Sequence, residues 1–477
     1  MSKSSAKALD LTTGSLFKKI LIFSLPLMFS NVLQVLFNMA DVAVAGKFAG
    51  SAALGAVGST TTLVLLFTDF LIGLGSGVNS IVARCIGTGE EKQVKRASNA
   101  AAVVSVVAGV IVGAFGIALA EPMLRLLGTK PELLDAAILY MRIYFAGMPA
   151  LAFYNFGRGV FSADGDTVKP FLFLLAAGII NVGLNFFFVI ACKLSVAGVA
   201  LASVISQYIS AVFVFGALLK TRRAYGINFK DFRVETEKVK EVLTLGLPAG
   251  VQCAVFQTAN LFIQAGVNTF DTVMVEGNSA AANADALVYD LLSAIYTACT
   301  SFMAQNFGAG KRKRVIKSYF ISLVYSFALG LIVGVALVFS GRWFLSIFTS
   351  EQAVVDAGMK RLTIMGFSYC VCVFMDCTIA ASRSLGKTVV PTIIVIMGSC
   401  VFRIIWVYTI FAYFKTIPSL YLLYVFSWTI TAIAEIIYFI IICRKLLPLC
   451  APSNNVAARR RLRKLKLRRK KLRRTKI

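Results

Sequence analysis

The chain has 477 residues, of which 58% are hydrophobic and 15% are charged, and its formal net charge is +27. Soluble globular domains are about 45–50% apolar and about 25% charged, so this composition excludes an ordinary soluble protein. The chain has ten cysteines and no histidine. Because most of these cysteines lie in apolar runs, we expect buried thiols rather than a disulfide framework or a metal site.

Apolar runs of about 20 residues recur along the chain, and each is long enough to cross a bilayer core of about 30 Å. We therefore predict an all-α integral membrane protein with twelve transmembrane helices. The predicted spans are 17–42, 52–82, 97–119, 133–160, 170–191, 196–219, 242–268, 280–307, 315–340, 355–382, 391–413 and 418–443.

Lysine and arginine are concentrated in alternate loops. The basic loops lie within 84–96, 220–240 and 311–317. The opposite loops carry only scattered cations, which are Lys47, Lys130, Lys193 and Lys415. Because positive charge marks the cytoplasmic side, we expect a multi-pass protein of the cell membrane, plasma or inner, with both termini in the cytoplasm.

The chain contains an internal repeat. The segment "VARCIGTGEEKQVKRA" begins at Val82, and the similar segment "MAQNFGAGKRKRVIKS" begins 221 residues later at Met303. "GDTVKP" at Gly165 and "GKTVVP" at Gly386 have the same separation. Two copies of six spans predict parallel repeats around a central cleft, as in transporters whose halves are related by an axis along the membrane normal.

The repeat divides the chain into predicted regions. These are a cytoplasmic N-terminus (1–16), an N-lobe (17–219), a cytoplasmic linker (220–241), a C-lobe (242–445) and a basic cytoplasmic tail (446–477).

The first span carries a carboxylate, Asp41, preceded at helical spacing by Gln34 and Asn38. One interpretation is an interfacial acid that reaches water or Lys47. The other is a residue that faces an internal cavity and binds a proton or a cation, since acids inside the membrane are costly and usually functional. A polar stripe on one helical face favours the cavity.

Amides and hydroxyls follow in the fifth and sixth spans, as the pairs Asn181 and Asn185, and Ser203 and Gln207, each four residues apart. Together with Asp41 their oxygens could coordinate Na⁺. They could equally form a hydrogen-bond network around a protonatable Asp41, or simply join helices.

Further charges lie inside predicted spans. Asp69 and Asp290 occupy equivalent positions in the two repeats, so they are either structural or pathway-lining acids. Asp376, Arg403 and Glu435 add three more in the C-lobe. If Arg403 is buried, it should pair with one of the acids.

Pro26 and Pro248 each lie in the first span of a repeat. Proline removes a backbone hydrogen bond, so each is either a hinge or a static kink. The chain has no histidine and no Gly-rich phosphate loop followed by Lys and Ser/Thr. We therefore expect neither an enzyme nor an ATP-driven pump, and no cofactor.

The tail from Arg459 to Ile477 contains 13 lysines and arginines and no acid. We expect it to contact anionic lipid. A protein partner or a cloning-related extension are alternatives, whereas a specific nucleic-acid partner is not expected because no folded reading module is present. We expect a monomer that contacts the lipid bilayer and small organic substrates.

The segments "LPLMFSNVLQVLFNMADVAVAGKFAGSAALGAVG", "GTGEEKQVKRA", "RGVFSADGDTVKP", "VAGVALASVISQ" and "QNFGAGKRKRV" resemble the multidrug and toxic compound extrusion (MATE) family over residues 15–445. The resemblance implies an antiporter that exports organic, often cationic compounds in exchange for H⁺ or Na⁺.

Within that family the chain is most similar to the prokaryotic branch named for DNA-damage-inducible F proteins. The resemblance implies that Asp41 is the coupling residue and that Asn181 matches a site Asn. Asn185 stands where that branch has an acid, and Ser203 stands for a Thr. The missing acid favours H⁺ over Na⁺ near Asp41 and Asn181. We expect a cavity lined by Gln34, Phe37, Asn38, Tyr154, Gln207, Gln252 and Gln257.

Two other functions stay open on sequence alone. A flippase for a lipid-linked oligosaccharide or other lipid precursor would need basic residues in the cavity, for which Arg403 and Arg158 are the candidates. A channel or receptor without coupled transport is the other.

Overall fold

The computed structural model describes residues 8–447, which form helices and no strand. The tail segment Arg459–Ile477 lies outside the described residues, as do positions 1–7. The helices are α1 (Leu16–Val44), α2 (Ser51–Thr88), α3 (Glu91–Leu126), α4 (Pro131–Phe145), α5 (Met148–Asp164), α6 (Val168–Phe186), α7 (Ser195–Lys220), α8 (Thr236–Val267), α9 (Thr272–Gly308), α10 (Arg312–Ser346), α11 (Gln352–Ser384), α12 (Val389–Val395), α13 (Phe402–Trp406), α14 (Ala412–Phe414) and α15 (Ile417–Leu446).

Four π-helical segments continue these helices, at Ala45–Ala49, Phe187–Ala191, Ile396–Val401 and Val407–Phe411. With these segments included, the described residues contain eleven helices long and apolar enough to cross a membrane. The pair α4 and α5 supplies a twelfth span when it is counted as one. The predicted all-α membrane fold is confirmed.

The fourth span differs from its prediction. Residues 133–160 were expected to form a single helix, but α4 and α5 meet at an angle of 44°. Pro149 occupies the first turn of α5, where its missing amide hydrogen costs nothing. In a continuous helix the missing amide would leave the carbonyl of Phe145 without its partner, which favours the bend at Ala146 and Gly147.

Several helices are longer than a bilayer is thick. At about 1.5 Å per residue, the 38 residues of α2 extend for about 57 Å, well beyond a hydrocarbon core of about 30 Å. The ends of α2, α8 and α9 therefore project from the membrane together with the basic loops. We call the region of residues 84–96, 220–241 and 303–317 the basic end.

The repeated glycines end helices in the same way in both halves. Gly89 and Gly310 have φ values of +72° and +70°, and Gly165 and Gly386 have +92° and +80°. This left-handed conformation is easy only for glycine, which explains why glycine occurs at these turns. The duplicated motifs thus have duplicated backbone geometry.

The two halves pack closely where α2 crosses α9. A Cβ on Gly308 would lie 3.2 Å from the Cα of Gly87 and would collide with the carbonyl oxygen of Arg84. Hydrogen bonds join the halves nearby, from Ser301 to Asn79 (3.0 Å) and from Gln305 to the carbonyl of Ala163 (2.6 Å).

The linker region, residues 220–241, forms ion pairs with α2 and α3 at the basic end. Arg84 on α2 forms an ion pair with Glu241 near the start of α8, and Lys238 contacts the same carboxylate at 2.8 Å. Between α7 and α8, Asp231 and Glu235 pair with Lys95 and Arg96 of α3 at 3.1 and 3.0 Å. Four cations of the basic end are therefore ion-paired, namely Arg84, Lys95, Arg96 and Lys238.

The outer surface of the bundle is strongly apolar. Phe339, Trp343, Tyr408 and Tyr413 expose 67–85% of their surface. A soluble protein rarely exposes so many large apolar side chains, whereas a bilayer solvates them. Trp and Tyr are typical of the membrane interface, which agrees with their position near helix ends.

Candidate functional site

Asp41 lies in a polar cluster formed by α1, α6 and α7. Ser203 Oγ donates a hydrogen bond of 2.8 Å to Asp41 Oδ2, and Asn185 Nδ2 donates to Asp41 Oδ1. Asn185 Nδ2 also contacts Asn181 Oδ1 at 3.3 Å. The structure thus brings together all four residues predicted for ion coupling, and we call Asp41, Asn181, Asn185 and Ser203 the Asp41 cluster.

The Asp41 cluster contains no counterion. Within residues 8–447, no lysine or arginine forms an ion pair with Asp41. Lys47, which the interfacial interpretation brought near Asp41, lies over the Phe48 ring at 5.9 Å. The carboxylate is therefore held by neutral donors on buried side chains, since Asn185 and Ser203 are both buried.

Two tyrosines of α4 lie near the Asp41 cluster and were missed by sequence reasoning. Tyr140 and Tyr144 stack with ring centroids 5.8 Å apart and lie within electrostatic range of Asp41. Their spacing of four residues was a usable signal for a shared face. Because α4 was predicted as part of one long span, nothing pointed to its packing against α7, the helix that bears Ser203.

The other predicted cavity residues of α1 and α7 have varied surroundings. Gln34 is half-buried and Asn38 is exposed. The Phe37 ring occupies the place where a Cβ on Gly178 would lie. Gln207 lies beside Gly147, and its Oε1 is buried without a hydrogen-bond partner in the described part of the chain.

Tyr154 lies elsewhere. It is 5% exposed, packs in the N-lobe core with Phe156 and Val160, and donates a hydrogen bond to the carbonyl of Pro170 at 3.2 Å. This environment is that of a packed core residue rather than of a cavity wall.

The glutamines of α8 contact other helices. Gln257 Nε2 donates to Asp69 Oδ2 of α2 at 2.5 Å. Gln252 is buried and receives a long contact of 3.5 Å from Thr392. Gln257 therefore links the two halves through Asp69.

Asn31 makes the corresponding link from α1. Its Nδ2 donates to the Asp290 carbonyl at 2.7 Å and to Ser293 Oγ at 2.8 Å, while its Oδ1 accepts from Arg158 at 2.7 Å. Asp290 lies within electrostatic range of Asp69 and Arg158. The two equivalent acids thus occupy the contact between the halves.

The C-lobe holds a second set of buried charges. Glu435 is fully buried, and neither of its carboxylate oxygens has a hydrogen-bond partner in residues 8–447. Asp376 interacts electrostatically with Arg403 and Arg383, and Glu435 with Arg383. Arg383 also donates to Ser76 of α2 at 2.7 Å.

Arg403 was expected to pair with an acid, but it forms no ion pair within residues 8–447, so that expectation is wrong. Arg403 is 2% exposed, and its hydrogen bonds reach Ser427 Oγ (3.2 Å) and Asn260 Oδ1 (3.5 Å). Aromatic rings take the place of a carboxylate, with the guanidinium 4.6 Å from the Tyr424 ring centroid. A ring face attracts a cation through its quadrupole, which reduces the need for an ion pair.

A buried ion pair in the C-lobe was missed entirely. Arg361 of α11 pairs with Asp285 of α9, and Asn278 also accepts from Arg361. Tyr369 donates to Asp285, and Tyr421 donates to Asn278 at 2.8 Å. Each charge in this network has a direct partner, which is the usual condition for burying one.

The two prolines lie within unbroken helices. α1 runs through Pro26 and α8 runs through Pro248. The carbonyl of Pro26 accepts from Ser30 at 2.8 Å, and that of Pro248 accepts from Thr392 at 3.2 Å. The hinge at either position stays a prediction. Among residues 8–447, no group of three or more His, Cys, Asp or Glu side chains could hold a metal ion.

The chain matches the family model described as MatE twice, over residues 26–187 and 248–409. It is 30% identical over 364 residues to the probable multidrug resistance protein YpnP of Bacillus subtilis, covering 76% of this chain and 81% of that protein. It is 21% identical over 403 residues to the multidrug export protein MepA of Staphylococcus aureus, covering 82% of this chain and 87% of that protein.

Solved structures share the fold. A transporter of the MOP superfamily from Pyrococcus furiosus superposes with a TM-score of 0.86 at 22% identity, covering 93% of this chain and 99% of that one. The two matched segments begin at Pro26 and Pro248, the prolines in the first span of each repeat.

Proposed function

Because the chain belongs to the MatE family of multidrug efflux transporters, we propose that it exports organic, often cationic compounds in exchange for protons. In this proposal Asp41 is the carboxylate that takes up and releases the proton. The transporter lies in the cell membrane with both termini in the cytoplasm.

One observation carries the proposal. Asp41 is held by two side-chain donors, Asn185 and Ser203, and forms no ion pair in the described chain. Its negative charge is therefore available to a proton, an ion or a cationic substrate. A site that can be neutralised by only one of these at a time makes them compete, and competition is the basis of exchange.

The geometry supports H⁺ over Na⁺ as the coupling ion. Asn185 turns its NH₂ group toward Asp41, which stabilises a carboxylate but offers no ligand to a cation. The Oδ1 of Asn185 is buried without a partner in residues 8–447, and it would have to join Asp41 and Ser203 to hold Na⁺. A site with one carboxylate is poor in the charged oxygen ligands that hard cations prefer.

The proposed cycle follows from this competition. With the site open to the outside, protonation of Asp41 removes the charge that holds a cationic substrate, and the substrate leaves. Bending of α1 near Pro26 would close the cavity around the neutral site, since proline weakens the helix there. Return to the inside releases the proton to the cytoplasm, and a new cation binds.

The test is efflux of a fluorescent cationic dye from energised cells or everted vesicles, with a pH gradient and a Na⁺ gradient imposed separately. We expect Asp41→Asn to abolish efflux driven by the pH gradient, because an amide cannot exchange a proton. The matched control is Asp231→Asn, which removes an acid whose side chain is 71% exposed in the loop before α8.

A normally expressed Asp41→Asn protein with unchanged efflux would contradict the proposal. Efflux by the parent chain that follows only the Na⁺ gradient would overturn the choice of coupling ion while leaving Asp41 as the coupling residue.

A further inference from the structure

One pair of equivalent positions carries an amide in the N-lobe and a guanidinium in the C-lobe. The two matched segments, 26–187 and 248–409, are 222 residues apart at both ends, one more than the repeated motifs. At this separation Asn181 corresponds to Arg403 and Asn38 to Asn260. In the N-lobe, Asn181 belongs to the site of a carboxylate. In the C-lobe, the same position carries a guanidinium, and Asn260 shares a hydrogen bond with it.

The surroundings of Arg403 are aromatic and neutral. The guanidinium lies 4.6 Å from the Tyr424 ring centroid, 5.6 Å from that of Phe256 and 5.9 Å from that of Trp428. Its hydrogen bonds go to Ser427 Oγ and Asn260 Oδ1. Two neutral acceptors do not use the full capacity of a guanidinium, which has five N–H donors.

The site has a route to water through Asn260. Asn260 is exposed although it lies well inside α8, and an amide facing hydrocarbon is unfavourable. Exposure at this position therefore indicates a water-filled space rather than lipid. π-Helical turns lie on both sides of the short helix that bears Arg403, and such turns are frequent at functional sites.

We propose that Arg403, with the aromatic rings of Phe256, Tyr424 and Trp428, forms a subsite for the carboxylate of organic substrates. The N-lobe then supplies a negative group and the C-lobe a positive one, which suits zwitterionic compounds as well as simple cations. The proposal rests on the proposed export function and specifies its substrate class. Arg is the side chain best matched to a carboxylate, because its planar fork donates two parallel hydrogen bonds.

The competing explanation is that Arg403 only balances the charge of Asp376, with which it interacts electrostatically. The two explanations differ in what a charge-neutral double variant does. If Arg403 is a counterion, removing both charges restores the site. If Arg403 binds the substrate, removing both leaves the carboxylate without its partner.

The experiment measures binding of two dyes to the purified full-length transporter in detergent by fluorescence anisotropy. One dye is a rhodamine with a free carboxylate, and the other is its methyl ester. We expect the wild-type protein to bind the acid more tightly than the ester. Arg403→Gln should weaken binding of the acid by about tenfold or more and change binding of the ester far less, whereas Arg403→Lys should retain part of the preference.

Equal binding of the acid and the ester by the wild-type protein would overturn the inference, whatever the variants do. Recovery of acid binding in Arg403→Gln/Asp376→Asn would overturn it in favour of the counterion role, and persistent loss would support it. Binding needs no gradient, so a preference for the acid without gradient-driven efflux would sustain this inference while contradicting the proposed exchange.

Discussion

Asp41 shows how a carboxylate can be tolerated inside a membrane without a permanent counterion. Placing an Asp at the centre of a membrane helix costs about 2.5–3.5 kcal/mol on insertion scales. Each hydrogen bond to a charged group contributes about 1.5–3 kcal/mol. The donors Ser203 and Asn185 therefore offset a cost of similar size without supplying a permanent counterion. A proton or a cationic substrate would therefore not have to displace a permanent counterion from Asp41.

The Asp285–Arg361 pair differs from Asp41, because each of its charges has an oppositely charged partner. Removing one partner of a buried pair leaves an uncompensated charge and costs about 3–5 kcal/mol. We expect Asp285→Asn to lower the thermal unfolding midpoint of the purified protein markedly, because Arg361 would stay buried. The double variant Asp285→Asn/Arg361→Gln should recover much of the loss, and a double variant no more stable than the single one would contradict this account.

The sequence allowed the Asp41 cluster to be predicted because its members follow helical spacing and match a known family. It did not reveal the Asp285–Arg361 pair, since the partners lie 76 residues apart on different helices. The aromatic surroundings of Arg403 were missed for a related reason. A rule that pairs buried cations with acids does not anticipate ring faces contributed by α8 and α15.

At the scale of elements, the crossing of α2 and α9 closes the basic end. Gly87 and Gly308 occupy equivalent positions in the repeated motif and pack against each other there. The absence of a side chain lets two long helices approach at backbone distance. Cys85 lies beside this crossing and lines a cavity of about 330 Å³ with Arg84 and Glu241.

This crossing can be tested with Gly308→Ala. The added Cβ would collide with the Arg84 carbonyl, so α2 and α9 must separate. We expect alkylation of the buried Cys85 to become several-fold faster, as measured by peptide mass spectrometry. Gly58→Ala in α2 is the matched control, because its Cβ would meet no atom within 4 Å. Unchanged Cys85 reactivity in Gly308→Ala would mean that the crossing does not close this end.

Two features of the helices could not be predicted from hydropathy, namely the bend between α4 and α5 and the π-helical turns. Hydropathy predicted twelve spans, and the bend between α4 and α5 stayed hidden because both helices are apolar. The π-helical turns were equally invisible, since an extra residue in one turn leaves no mark on composition. Such turns follow Asn185 in α6 and flank Arg403, so the irregular backbone lies beside the residues of greatest interest.

At the scale of the whole molecule, the duplication gives two halves with similar backbones and different buried side chains. Equivalent glycines have equivalent backbone angles, and equivalent acids lie at the contact between the halves. The interiors differ, because one half contains Asp41 without an ion pair among residues 8–447, whereas the other contains several charged side chains: Asp376, Arg383, Arg403, Glu435 and the Asp285–Arg361 pair. A shared fold with divergent interiors is what a transporter needs when its two halves recognise different parts of a substrate.

Orientation is a property of the whole chain and has a direct test. The basic end should face the cytoplasm, because positive loops are retained there. We expect Arg222→Cys to be protected from a membrane-impermeant thiol reagent in intact cells and Lys130→Cys to be labelled, each judged against the parent chain. The reverse pattern would contradict the assignment of both termini to the cytoplasm.

In the proposed cycle, a proton and a cationic substrate compete for Asp41. The most direct measurement is proton release when a cationic dye is added to purified, weakly buffered transporter, across a series of pH values. We expect proton release from the parent chain and from Asp231→Asn, and none at any pH from Asp41→Asn. Equal release from Asp41→Asn, or dye binding by the parent without release at any pH, would contradict the proposed cycle.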